Sequence, residues 1–448
     1  MTPEKQGTSY VPPLVEHLGL RSEVSVRIQQ TVPRITASVL IVAPVLALGA
    51  PAQAEQATGC LGRDGATVEE ARVVEEVPQE ILRRSGFVMS VDRFTRELCA
   101  ASDVDGAREV VERHGDALWR KAVERVRGNG DVQGSLSAGD DRPVYWARLA
   151  MTSALNRWEP GFGLSGAERA GLVADMDRRS RGHDDTDFAE VPGEPEALHV
   201  VVTGFDPFRL DNDIRQANPS GAAALALDGA VIETDAGVAV VETMLFPVRW
   251  RDFTDGMVEE ALLPHYTGDR PADAVITVSQ GRPGQFDLEA HNGAWRGGAA
   301  DNESVGTEEM VPVPDGVPTV TPQPQWSDSS LDRPAIVEET TDAPFPVVDN
   351  TTVTEIPEGG TEPVVRLDGP TPGSEARAGG GGDYLSNEIA YRNTLLRDAT
   401  GLDIPAGHVH TPVLEFGPGD SVTDPEFEED RAAIVGQVED IVAAAVRR

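Results

Sequence analysis

The sequence predicts an α/β protein: an open, twisted, mostly parallel sheet with helices on both faces, preceded by a mainly helical N-terminal domain. Three observations predict it. A chain of 448 residues is too long for one compact core and calls for two domains plus extras. From Ala197 onward, short β-branched runs alternate with helical segments, the rhythm of strands joined by crossover helices. Between Glu55 and Glu190, apolar residues instead recur at helical spacing.

The helical part comprises Val68 to Arg84 (interrupted at Pro78), Val91 to Ala101, Ala107 to Arg127 and Pro143 to Trp158. Val110, Val111, Leu118 and Val123 exemplify the apolar stripe, and Gly128-Asn129-Gly130-Asp131 is a break between helices. No ligand cluster, nucleophile–base pairing or phosphate loop is found there, which suits a structural or docking role. Arg178 to Pro195 is polar, charged and closed by prolines; it reads as a linker, with the boundary at residues 191–196.

The second domain, residues 197–448, opens on Leu198 to Thr203 (LHVVVT), a buried-strand run. Pro219 to Asp228 is a small-residue helix with proline in its first turn. Val238 to Glu242 and Ala274 to Val278 read as strands, and Asp252 to Leu263 as a helix. Asn387 to Arg397 is helical and His408 to Leu414 extended. Glu429 to Val446 closes the chain as a helix with Ile434, Val438, Ile441, Val442 and Ala445 on one face. A Pro/Thr/Glu-rich insert, residues 305–377, interrupts this order. Its phrase PVPDGVPTVTPQPQ forms neither a long helix nor a central strand, so the expectation is a surface loop without regular structure.

The formal net charge is −37, from 75 acidic and 38 basic side chains, and lysine is confined to Lys5 and Lys121. Such a surface repels nucleic acid and anionic membranes and argues against both as partners. At the N-terminus, Arg21, Arg27 and Arg34 precede an apolar run from Ile35 to Leu48 and then Ala52-x-Ala54. This reads as an export signal, residues 1–54, cleaved after Ala54. The run is short and broken by Pro44, which argues against a permanent span, while the long stretch before it leaves an uncleaved anchor open; the mature chain is expected to be secreted or at the cell surface without stable membrane contact. Export would let the only two cysteines, Cys60 and Cys99, form a disulfide.

Val201 to Phe208 (VVTGFDPF) followed by Asn218-Pro219-Ser220 is similar to the T-G-F-x-P-F turn and N-P-S of the pyroglutamyl peptidase I (pyrrolidone-carboxylate peptidase) family. Ser279 to Asn302 resembles that family's G-Q-x-G-G-R segment, which leads to its catalytic glutamate. Gly382 to Asn387 (GDYLSN) resembles A-G-x-Y-x-C-N, and Gly407 to Pro412 (GHVHTP) resembles G-F-x-H-x-P. The resemblance covers Ala197 to the C-terminus outside the insert, and implies that family's phosphorylase/hydrolase-like sheet. It implies a catalytic set of Ser386, His410 and Glu289, with serine where the family has cysteine, and leaves a homo-oligomer open. By the same resemblance, Phe205 and Phe208 would hold the flat pyroglutamyl ring and Gln280 would sit near its carbonyl. The substrate implied is a peptide with an N-terminal pyroglutamate.

The chemistry at these positions is coherent. A serine ahead of the apolar run Ile389, Leu395, Leu396 lies at a helix start, where free amide N–H groups favour an oxyanion. Unlike a thiol, it must give up its proton to a base during attack, the role for His410, with Glu289 orienting the imidazole. His408-x-His410 offers two metal ligands without a third, so neither metal nor cofactor is expected.

Departures from the family keep alternatives open. Its F-G-G is here Phe208-Arg209-Leu210, the spacing from Glu289 to Asn292 is shorter, and the cysteine is gone. A serine esterase or amidase of different specificity, or a catalytically inactive binding module, fits the same motifs. Singly, Ser386 is also an ordinary helix cap, Glu289 a solvated acid, and Phe205 and Phe208 core residues.

Overall fold

Val200 and Val202 face one layer of helices while Val201 between them faces the other; this alternation, repeated along the strands, buries the sheet on both sides. The computed structural model describes residues 59–129 and 134–446; the expected export signal lies outside them.

The helical region contains α1 (Val68–Ala71), α2 (Glu76–Ser85), α3 (Val88–Ala100), α4 (Val104–Val126), α5 (Arg142–Arg157) and α6 (Gly166–Arg179). Thr67 and Glu70 form a reciprocal capping box at α1, as Ser165 and Glu168 do at α6. The break expected at Pro78 falls instead at Glu75. Pro78 sits in the first turn of α2, where a missing N–H costs nothing. Cys60 and Cys99 are joined by the expected disulfide, with Cα atoms 5.8 Å apart.

The α/β region runs β1 (Leu198–Phe205), α7 (Pro219–Leu227), β2 (Ala230–Thr234), β3 (Gly237–Phe246), α8 (Trp250–Thr254), α9 (Met257–Thr267), β4 (Ala274–Gln280), β5 (Phe286–Glu289), α10 (Arg333–Glu339), β6 (Val347–Asn350), α11 (Leu385–Thr400), β7 (Ala406–Thr411) and α12 (Pro425–Ala445). These strands form one seven-stranded sheet in the order β6-β5-β7-β4-β1-β3-β2. Strands β3, β1, β4 and β7 are mutually parallel, β2 and β5 run against β3 and β7, and β6 runs with β5. Helices α7 and α12 cover one face, α9 and α11 the other, as the alternation of strands and helices predicts.

The insert departs from expectation. It carries α10, the edge strand β6 and a three-stranded antiparallel sheet of Val353–Ile356, Val364–Arg366 and Glu375–Ala378. Its prolines lie between these pieces, except Pro334, which sits in the first turn of α10 where a missing N–H costs nothing. An edge strand needs ladder partners on one side only, so the four residues after Pro346 suffice for β6.

The expected linker is likewise only partly one. Arg178 and Arg179 end α6, and Ser180 and Arg181 are fully buried. The Leu245 N–H donates to the Arg181 carbonyl at 2.9 Å, and the His183 ring meets the Leu245 carbonyl at 2.8 Å. Leu210, Ala224, Leu225, Leu245 and Val422 pack into the same apolar cluster as α2 to α6, so the helical region and the sheet share a core. No helix among the described residues is long and apolar enough to cross a membrane.

Candidate active site

The sequence-predicted residues converge at the carboxyl ends of β1, β4 and β7, on the antiparallel neighbour β5, and at the start of α11, the edge where open α/β sheets hold ligands. A cleft of about 590 Å³ there is lined by Ser386, His410, Glu289, Gln280, Phe208 and Tyr384, among others.

Glu289 ends β5 and is paired in register with His408 on β7. Its carboxylate reaches diagonally along β7, so Oε1 lies 2.7 Å from Nδ1 of His410. Both side chains are buried. The second carboxylate oxygen accepts a hydrogen bond from Asn350 Nδ2 at 2.8 Å. That donor comes from β6, within the insert, and was not foreseen from the sequence.

A glycine turn covers this pair. Gly379 and Gly382 exchange backbone hydrogen bonds of 2.8 and 3.1 Å. A Cβ on Gly380 would sit 2.0 Å from Glu289 Oε2, and one on Gly381 would sit 2.1 Å from His410 Cε1. Only glycine lets the backbone come this close. The turn leads through Tyr384, the N-cap, into α11, whose second residue is Ser386. Ser386 is therefore inside the first helical turn rather than at the cap, among N–H groups without intrahelical partners. Asn387 anchors the turn: its amide donates to the Gly293 and Trp295 carbonyls and accepts from the Gly293 N–H, each at 2.9 Å. The Ser386 hydroxyl is oriented toward the Gly381 carbonyl at 3.5 Å, so Ser386 and His410 flank the same glycine.

Beside Ser386 lies a slot walled by Phe205, Phe208, Val248, Ser279, Gln280 and Tyr384, with a volume of about 30 Å³. A water needs ~10–15 Å³ by this measure, so the slot as it stands is smaller than a five-membered lactam. Phe205 also belongs to the core, stacking on Phe253 with centroids 6.2 Å apart. Phe208 and Tyr384, by contrast, are only partly buried and stand 6.2 Å apart across the slot. Gln280 Oε1 is buried with no protein partner. Arg209, exposed and in the left-handed region at φ 59°, holds its guanidinium over the Phe208 ring.

His408 is not solvent-facing. Its Nδ1 lies 2.7 Å from Thr277 Oγ1 and its Nε2 2.8 Å from Ser279 Oγ, with its ring edge-on to His410. Burial, and then the neighbouring His410, push His408 well below the ordinary imidazole range, so it is neutral. Among the described residues, no group of three or more candidate ligands could hold a metal.

The helical region reaches the site through buried charge. Arg148 and Arg181 clamp Asp206, in the turn after β1, at 2.8 and 2.7 Å. Asn302 donates to Glu69 Oε1 and to the Pro207 carbonyl, both at 2.9 Å, and Arg72 donates to the Asn302 carbonyl at 2.6 Å. Although burial disfavours its charge, the guanidiniums of Arg181 and Arg249 hold Asp177 below the usual carboxylate range. Burial moves Glu69 the other way, upward, despite Arg249.

Fold and site together define a two-part protein, a helical region fused to a mixed α/β sheet that gathers serine, histidine and glutamate at one edge. The chain belongs to the PA0049 family: residues 52–177 match the PA0049 N-terminal domain, and residues 199–342 and 333–415 the PA0049 C-terminal domain. The uncharacterized protein PA0049 of Pseudomonas aeruginosa is 33% identical over 455 residues, covering 80% of this chain and 82% of its own. Among solved structures, a mutant pyrrolidone carboxyl peptidase from Pyrococcus furiosus is similar at 19% identity and TM-score 0.37, over 56% of this chain and 98% of its own. Pyroglutamyl peptidase I from Bacillus amyloliquefaciens is similar at 19% identity and TM-score 0.37, over 56% and 96%.

Proposed function

We propose that this chain is an exported serine hydrolase that removes N-terminal pyroglutamate from peptides. The observation that carries the proposal is the buried 2.7 Å contact of His410 with Glu289, under a glycine turn that delivers Ser386 to the same cleft. The motif resemblance supplies the substrate class, and the disulfide suits an oxidising compartment.

In this reading Ser386 Oγ attacks the pyroglutamyl carbonyl while its proton passes to Nε2 of His410. Glu289, at Nδ1, holds the neutral tautomer that can accept that proton and stabilises the imidazolium that forms. The oxyanion meets N–H groups at the start of α11. His410 then protonates the leaving amine, the C–N bond breaks, and water, deprotonated by His410, releases pyroglutamate from the ester. Gln280 Oε1 is free to accept from the lactam N–H, and Phe208 and Tyr384 would part to admit the ring.

A second reading, a binding module without turnover, is favoured by one pair of observations. The Ser386 hydroxyl faces the Gly381 carbonyl rather than the imidazole, and the slot is narrow. The full-length chain assayed with a fluorogenic pyroglutamyl amide, beside Ser386→Ala and Ser386→Cys, separates the two. Turnover that vanishes in the alanine variant supports the hydrolase. No turnover in the wild type, with binding of free pyroglutamate, supports the binding module.

A further inference from the structure

We propose that Asn350, carried into the site by the insert, is the positioning residue that fixes Glu289 against His410 and ties both to the turn bearing Ser386. The inference rests on the hydrolase reading for its catalytic consequence. Its structural content, a carboxylate held in place against an imidazole, stands apart from that reading.

The argument begins with the amide itself. Asn350 Oδ1 accepts from the Thr352 N–H at 3.2 Å, which fixes which end of the side chain is oxygen. Both hydrogens on Nδ2 are then committed, one to Glu289 Oε2 at 2.8 Å and one to the Gly380 carbonyl at 2.9 Å. Strand register holds the backbone: Asn350 lies directly opposite Glu289, and its carbonyl accepts from the Ala290 N–H at 2.9 Å. Glu289 thus has one oxygen on His410 and the other on Asn350, and cannot rotate without breaking a charge-assisted hydrogen bond. Through the Gly380 carbonyl the same amide restrains the turn that leads to Ser386. No other side chain bonds both the acid and that turn among the described residues.

The charged and titratable neighbours of His410 are Glu289 on β5, His408 on its own strand, and Asp287, which faces it in register and is paired with Arg282 at 2.7 Å. Asn350→Leu removes the donor, so the carboxylate is free to turn away from Nδ1 and the hydrogen bond to His410 loosens. Asn350→Asp replaces the donor by a second anion, and two carboxylates this close repel or share a proton, so the same bond loosens. A change confined to the His410 Nδ1–H is what a merely structural role would not produce.

The test records the His410 Nδ1–H resonance by NMR in isotopically labelled full-length chain carrying Ser386→Ala, with His410→Asn for assignment, and repeats it with Asn350→Leu and Asn350→Asp. The expected result is a downfield Nδ1–H in the parent that moves upfield or broadens in both variants. With active serine, kcat should fall about ten- to hundredfold for leucine at little changed KM, the size of one charge-assisted hydrogen bond. An unmoved Nδ1–H in both variants, with the fold intact by circular dichroism, overturns the proposal. A wild type without turnover overturns the hydrolase reading alone, because the Nδ1–H resonance decides Asn350 by itself.

Discussion

Arg148 Nη1, on α5, lies 2.8 Å from Asp206 Oδ1, in the turn that follows β1, and both side chains are sealed from solvent. Arg181 closes on the other oxygen at 2.7 Å. The helical region therefore holds the segment that carries Phe205 and Phe208. Removing one member of such a group strands the others in a medium that cannot solvate them. Arg148→Met is expected to cost about 3–5 kcal/mol in urea unfolding. A loss under about 1 kcal/mol would mean that Arg181 alone satisfies Asp206. By the same logic, a fragment starting at Ala197 should not fold alone, which its far- and near-UV circular dichroism would reveal.

Glu289→Gln keeps the shape of the acid and removes its charge. The imidazolium then loses its counter-ion, and the amide can present its NH₂ to Nδ1 and favour the wrong tautomer. If the hydrolase reading holds, kcat should drop on the order of 10²–10⁴-fold with KM little changed. Steady-state kinetics near neutral pH measure this; a variant as fast as wild type would remove Glu289 from the site.

The sequence exposed part of this cleft and hid the rest for identifiable reasons. That Ser386, His410 and Glu289 would come together was legible because each lies in a short motif at the end of a strand or the start of a helix. Asn350 was not, since VVDN is a four-residue run among prolines, and its partner Glu289 is 61 positions away. A helical stripe is a local pattern, but the Arg148–Asp206 contact spans 58 positions and leaves no local trace. Helix α6 was overlooked for a different reason: only Leu172, Met176 and Asp177 of it are buried, so its periodicity is faint. Arg181 looked like linker charge, and only the fold shows why it is there.

The Cys60–Cys99 disulfide closes a loop with a sequence separation of 39 and ties the segment before α1 to the end of α3. In the chain-entropy account it stabilises by about 4 kcal/mol. Cys60→Ser with Cys99→Ser should lower the denaturation midpoint accordingly, and so should reduction of the wild type. Equal midpoints with and without reductant would show that the helical core does not depend on the bond.

Glu242 in β3 is nearly sealed from solvent, and burial, reinforced by Asp228 and Asp185, pushes its carboxyl up to about 8 from an ordinary 4.5. The folded chain then keeps a proton that the unfolded chain releases. The contribution is fully present below 4.5 and is lost as pH rises toward 8, so stability falls across that window. Glu242→Gln should flatten this decline and raise the melting temperature most at the alkaline end. Parallel melting curves for the two proteins across the window would refute the assignment.

Arg209 sits where the resembling family has glycine, and it keeps the left-handed backbone that glycine adopts without strain, at φ 59°. For a residue with a Cβ that conformation costs roughly 1–2 kcal/mol, partly offset because glycine loses about 0.5–1 kcal/mol more chain entropy on folding. Arg209→Gly should therefore be neutral to stabilising, by up to about 1 kcal/mol, even though it removes the guanidinium from the Phe208 ring. The same change frees Phe208 to swing from the slot. If the narrow slot is what limits a lactam, the variant should bind pyroglutamate more tightly or turn over pyroglutamyl amide faster, measured by calorimetry and by the fluorogenic assay. Tighter binding together with an unchanged melting temperature would place the effect in the slot rather than in global stability. Weaker binding would mean that the arginine contacts the ligand, and that the departure from glycine belongs to recognition.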